Sequence, residues 1–346
     1  MLKKIIFGIA CFAFVSSYAQ DKSESKKNTV TAPVVTQGVA NIGGKSINYT
    51  ATTGYLELLD TEGKHKANMF YVAYTKQGEN NIKNRPVTYV FNGGPGSSSV
   101  WLHLGALGPK KIQMTAEGNA TKAPYSVVNN PDSWLDITDL VFIDPVGTGF
   151  SKPAEGEKAD QFYGFDNDIK TVSDFIRLWT NQNNRWGSPK YLAGESYGTT
   201  RACGVVDYLM EEYKMYFNGI SLISCALDFQ TLREFEGNDL PYICNLPVYT
   251  QSALYHNLIP QLVSADKELV KKAEDFALNE YALALLQGDK LTETQKLEIA
   301  NKLEYFTSIS AKIYLDNNLR IPSWQFRKLL LDKQNLLVGR YDIRLT

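Results

Sequence analysis

Short, uninterrupted apolar runs punctuate the first two thirds of the chain, and amphipathic runs of helical period lie between and after them. Residues 86–91, 140–143, 190–193 and 220–226 are apolar-rich over strand length. Runs of this kind suit strands covered on both faces by helices, so they predict an α/β fold with a mainly parallel sheet. Upstream, residues 55–59 and 68–74 flank Gly63 and read as two antiparallel strands around a turn. Residues 166–183 place Ile169, Val172, Phe175, Ile176 and Trp179 on one face at helical spacing. The stripe is a packing face. Its place before the 190–193 run suits the crossover helix of a right-handed βαβ unit.

The pattern changes after about residue 229. Strand-like runs nearly vanish, and residues 262–286, 293–314 and 323–330 read as helices. Gly288-Asp289 and Asn317-Asn318 punctuate them as turns. The expected organisation is a core over residues 50–228 and a mainly helical insertion, or lid, over 229–338. Residues 339–346 read as the start of a returning core, with the C-terminal sheet strands missing. Residues 20–49, polar and rich in Ser, Thr and Lys, read as a flexible lead-in.

The first 19 residues have another character. Lys3 and Lys4 precede an apolar stretch, 5–15, too short to span a bilayer comfortably, and Ser17-Tyr18-Ala19 follows. This predicts a signal peptide cleaved after Ala19, with export to the periplasm or beyond the cell. With 36 basic and 37 acidic residues the net charge is -1, which gives no electrostatic case for nucleic acid or an anionic membrane. No stable membrane insertion is expected after cleavage. Beyond the signal the cysteines are Cys203, Cys225 and Cys244, an odd number, so complete pairing is impossible and any pairing stays open. No Cys/His cluster has metal-ligand spacing, and no metal is expected.

Chemistry enters with Gly194-Glu195-Ser196-Tyr197-Gly198, where the 190–193 run meets a helix-compatible stretch. A sharp strand-to-helix turn would raise the Ser196 hydroxyl above the sheet, with small residues flanking it where the backbones crowd. The N–H of Tyr197 would point at the same spot from a helix N-terminus. An oxyanion developing there needs a second donor. The stretch Asn92-Gly93-Gly94-Pro95-Gly96-Ser97-Ser98-Ser99 follows the 86–91 strand and can supply it, and it lacks the Lys-Ser/Thr of a phosphate loop.

These two blocks, with the trailing "WLHLGALGP" of 101–109 and "FIDPVGTGFS" of 142–151, resemble the serine carboxypeptidases, peptidase family S10. The resemblance runs from about residue 50 to the chain's end and implies an α/β-hydrolase fold. It also implies cofactor-free removal of C-terminal residues from peptides or proteins through an acyl-enzyme. By position, Ser196 is implied as the nucleophile, and Gly94 and Tyr197 as the N–H donors of the oxyanion hole. Asn92 and Glu195, helped by the Gly93 N–H, are implied to bind the substrate's free carboxylate. Two facing carboxylates repel unless they share a proton, so peptide binding should be best in mildly acidic medium. The family often has Trp two residues before Asn-Gly-Gly; this chain has Val90, which weakens one wall of that pocket.

Asp144 precedes the serine, whereas the fold's order is Ser, Asp, His, so the 142–151 block reads as structural. The family's triad Asp and His lie beyond the helical insertion, and this chain stops at "VGRYDIRLT". His103 reads as support for the glycine-rich loop. Asp228 and His256 stand in the correct order for a substitute pair, but His256 reads first as a residue of the lid. The implied activity is therefore set against a non-catalytic, peptide-binding remnant and against an esterase or acyltransferase of the same fold.

Overall fold

The computed structural model describes residues 32–259 and 267–346. The signal peptide and its cleavage site lie outside the described residues. Strands β1 (Val34–Ile42), β2 (Lys45–Leu59) and β3 (His65–Lys76) form an antiparallel meander. The chain continues through β4 (Val87–Phe91), the single turn α1 (Val100–Leu102) and a small ribbon of β5 (Lys110–Ile112) and β6 (Val127–Asn129). Then come β7 (Asp139–Ile143), β8 (Lys152–Pro153), α2 (Phe165–Gln182), β9 (Lys190–Glu195), α3 (Tyr197–Tyr213) and β10 (Gly219–Ile223). The main sheet runs β1-β2-β3-β7-β4-β9-β10, with β8 added to β3.

The sheet is mixed. Strands β7, β4, β9 and β10 pair in parallel, while β1 to β3 and the β3–β7 junction are antiparallel. The parallel half matches the apolar runs: every residue of β4 and β7 is buried. At the end of the path β10 has, among the described residues, a neighbouring strand on one side only, and Ile220 and Leu222 are each 39% exposed. Ser224, at φ 50°, ends it before the 226 expected. Helix α2 follows Gly164, carries Asp166 and Asp168 in its first turn where the dipole favours them, and buries all five stripe residues.

Two readings of the sequence change here. Much of the expected flexible lead-in is structured, because residues 34–42 and 45–59 are strands of the meander. Ala40, Ile42, Ile47 and Tyr49 alternate inward from more exposed neighbours and join a buried cluster with Tyr74 and Phe142. Residues 339–346 add no strand. They close on themselves through Gly339 N–H to Leu345 O (2.8 Å), and Ile343 packs on the helical region.

The helical region holds α4 (Leu240–Tyr255), α5 (Lys267–Phe276), α6 (Ala282–Gln287), α7 (Glu293–Thr307), α8 (Ala311–Asp316) and α9 (Ser323–Leu329). Its buried cluster draws only on residues from Leu246 to Val338, whereas the two clusters of the sheet stop at Met215 and Ala193. The helix expected over 293–314 is two helices, because Ser308 turns left-handed at φ 60°. Among the described residues no helix is long and apolar enough to cross a membrane.

Candidate active site

Strand β9 ends at Glu195 and α3 begins at Tyr197, leaving Ser196 alone in the turn at φ 57°, ψ −126°. Such a backbone costs a non-glycine residue about 1–3 kcal/mol and persists only where its surroundings enforce it. Here Ser196 N–H donates to Ile223 O of β10 (2.9 Å), and Ser196 O accepts from Thr199 N–H (2.9 Å) and Thr199 Oγ1 (2.7 Å). The turn is tied to the next strand and to its own helix. A Cβ on Gly194 would lie 2.1 Å from Gly198 O, so the crowding expected between strand and helix is real. The Ser196 hydroxyl has no hydrogen-bond partner among the described residues.

The glycine-rich loop lies against this turn. Asn92 is fully buried; its Oδ1 accepts from Leu102 N–H (3.0 Å) and its Nδ2 donates to Glu195 Oε2 (3.0 Å). A Cβ on Gly93 would lie 2.4 Å from Tyr197 N, so loop and elbow touch backbone to backbone. Gly94 takes φ 106°, a conformation L side chains rarely adopt. Among the described residues none accepts a hydrogen bond from the N–H of Gly93, Gly94 or Tyr197. All six residues singled out from the sequence, Asn92, Gly93, Gly94, Glu195, Ser196 and Tyr197, thus share one corner at the C-terminal ends of β4 and β9.

Asp144 directly follows β7 and is buried, and that burial pushes its carboxyl upward against the pull of two backbone bonds. Those bonds come from Ser99 N–H (2.9 Å) and Phe150 N–H (3.2 Å), so Asp144 staples the glycine-rich loop to the 145–151 turn. This is the structural part the sequence suggested. A cavity of about 240 Å³ lies between the two, lined in part by Pro95, Val146, Phe162, Tyr163 and Tyr197. Val90 is fully buried, in a cluster with Leu102, Leu107 and Phe142.

Each of the three histidines is engaged elsewhere. His65 Nε2 meets Ala67 O and Asn68 Oδ1. His103 contacts the Tyr74 hydroxyl (2.8 Å) and stacks on Phe142 (centroids 4.4 Å apart); burial lowers its pKa to about 4. His256 Nε2 meets Ile343 O (2.7 Å), while the Asp228 carboxylate accepts from Gln230 N–H (2.9 Å). Neither member of the alternative pair engages the other or Ser196 by a hydrogen bond. Among the described residues no group of three or more His, Cys, Asp or Glu could hold a metal ion, and Cys203, Cys225 and Cys244 are free thiols.

One part of the corner was not foreseen from sequence. Arg201, wholly buried on α3, pairs with Asp168 of α2 (2.8 Å) and donates to two carbonyls of the glycine-rich loop. Its signal was available: it stands among small and apolar residues, Ala202, Cys203 and Val205, on the helix that follows the serine. A cation there must be paired and hydrogen-bonded.

The family model for serine carboxypeptidases matches residues 43–307. The chain belongs to the serine carboxypeptidase family. Its mixed sheet, crossover helix and serine elbow form the α/β-hydrolase core of that family. Among curated relatives in the family, the pheromone-processing carboxypeptidase KEX1 of Arthroderma otae is 34% identical over 153 residues, 42% of this chain and 20% of that protein. Carboxypeptidase Y of Saccharomyces cerevisiae is 32% identical over 157 residues, 43% of this chain and 25% of that protein. The matched part thus spans a quarter or less of either relative. Among solved structures, KEX1(delta)p, a prohormone-processing carboxypeptidase from Saccharomyces cerevisiae, aligns with 20% identity and a TM-score of 0.43, covering 80% of this chain and 54% of that one.

Proposed function

We propose that this chain carries the acyl-transfer and carboxylate-recognition corner of a serine-type carboxypeptidase acting on peptide or protein C-termini in an exported setting. In this reading Ser196 attacks the last peptide carbonyl once a base takes its proton, the peptide C–N bond breaks and the C-terminal residue leaves as the protonated amine; the N–H groups of Gly94 and Tyr197 receive the developing oxyanion, and the terminal carboxylate meets Asn92, the Gly93 N–H and Glu195. The observation that carries it is the Asn92–Glu195 hydrogen bond (3.0 Å) beside a strained serine, with unused amide hydrogens on either side. A carboxylate held by Asn92 on one oxygen suits a ligand carboxyl that shares its proton. A neutral Gln at 195 should therefore bind free-acid peptides with a flatter pH dependence than the parent.

The test is a fluorophosphonate probe followed by peptide mapping. The expected result is an adduct on Ser196 that Ser196→Ala abolishes; a labelled chain whose adduct lies elsewhere contradicts the assignment. One observation favours a second reading, a peptide-binding protein without turnover: His65, His103 and His256 are all bonded away from Ser196. Under it, free-acid peptides bind and the serine stays unlabelled.

A further inference from the structure

Arg201 ties together three segments that the carboxypeptidase reading needs held still. Its Nε donates to Asp168 Oδ2 (2.8 Å), Nη1 to Asn92 O (2.6 Å) and Nη2 to Pro95 O (3.2 Å). The guanidinium carbon lies 5.5 Å from the Phe91 ring centroid and 5.3 Å from that of Tyr197, within cation–π range on both. The side chain is fully buried, so these contacts form out of reach of water.

The consequence follows from peptide geometry. In a trans peptide the C=O and the next N–H point opposite ways. Anchoring Asn92 O therefore turns the Gly93 N–H away from the guanidinium, and anchoring Pro95 O does the same for the Gly96 N–H. The peptide between them is held by another hand: Gly93 O accepts from Ser97 N–H (2.9 Å), which turns the Gly94 N–H outward as well. The carbonyls of Asn92, Gly93 and Pro95 are thus occupied, while among the described residues none accepts from the N–H of Gly93, Gly94 or Gly96. We propose that Arg201, oriented by Asp168, is a positioning residue that aims the glycine-loop amides at the substrate's carboxylate and oxyanion. This rests on the reading of Gly93 and Gly94 as substrate-binding donors. A lysine cannot replace the fork, because a point-like ammonium cannot present three diverging N–H bonds in fixed directions.

The experiment uses the full chain labelled with ¹⁵N-glycine and an N-acetylated dipeptide bearing a free carboxylate. In the parent protein the dipeptide should shift the Gly93 and Gly94 amide resonances and leave those of Gly63 and Gly288 unmoved. Arg201→Lys, which keeps a cation beside Asp168, should displace the Gly93, Gly94 and Gly96 signals and weaken dipeptide binding about 10-fold. Asp168→Asn, which keeps the guanidinium, should act in the same direction and serves if the lysine variant does not fold. Loop signals and dipeptide affinity unchanged in a folded variant would overturn the positioning role. A parent protein whose glycines ignore the dipeptide would instead overturn the substrate-binding reading on which it stands.

Discussion

The sheet corner and the helical region are built on different plans. Around Ser196, backbone groups of β4, β9, β10 and α3 interlock, and the polar side chains there, Asn92, Asp144, Asp168 and Arg201, hold loops that end in free amide hydrogens. From residue 246 onward the helices surround an apolar cluster of their own, and their buried polar groups mostly serve helix backbone, as with Thr250 to Leu246 O and Thr307 to Leu303 O. The one histidine on that side spends its Nε2 on a backbone oxygen. Buried polarity in the first region orients groups that face outward, while in the second it closes the packing.

If the two regions rest on separate cores, injury to one should spare the other. Phe326 stacks on Tyr249 with centroids 3.8 Å apart and is almost fully buried among the helices. Phe326→Ala should cost about 3–5 kcal/mol. Hydrogen exchange should then show α4, α7 and α9 losing protection while the amides of β4 and β9 keep theirs. Simultaneous loss in both would make the molecule one cooperative unit.

The sheet region should respond to acid through His103. Its folded pKa of about 4 lies below the ordinary value near 6.5, because burial disfavours the imidazolium. As pH falls from 6.5 towards 4 the unfolded chain takes up a proton that the folded chain refuses, so stability drops over that window by about 3 kcal/mol. His103→Gln keeps a partner for the Tyr74 hydroxyl and should remove this fall, as read from denaturant midpoints at pH 7 and pH 4.5. An equal fall in the variant would assign the acid sensitivity elsewhere. The smallest effect is expected at the tail: His256→Ala should cost about 1 kcal/mol, the worth of one hydrogen bond. It should leave dipeptide affinity and any Ser196 labelling unchanged, and a tenfold loss of either would restore His256 to the site.

The elements that carry chemistry were the legible ones. Continuous apolar runs gave β4, β7 and β9 because both faces of those strands are covered, and the two Gly-rich blocks marked the loop and elbow because the backbones touch there. β1 escaped because its exposed half, Val34 to Gln37, shows no core-facing alternation. α4 lies outside the helices read from the sequence, since Pro241 and Pro247 argue against a helix and only the tertiary packing of Leu246, Tyr249 and Ala253 overrides them. Arg201 and Asp168 are far apart in sequence, on two helices whose contact no local pattern announces.

Whether the Asn92–Glu195 corner receives a terminal carboxylate, as proposed, is tested most directly by titration calorimetry of one N-acetylated dipeptide as free acid and as C-terminal amide. The free acid should bind at least about 10-fold tighter, the worth of one to two charge-assisted hydrogen bonds, and Asn92→Ala should erase the difference. Equal affinity for the two forms would contradict carboxylate recognition by this corner.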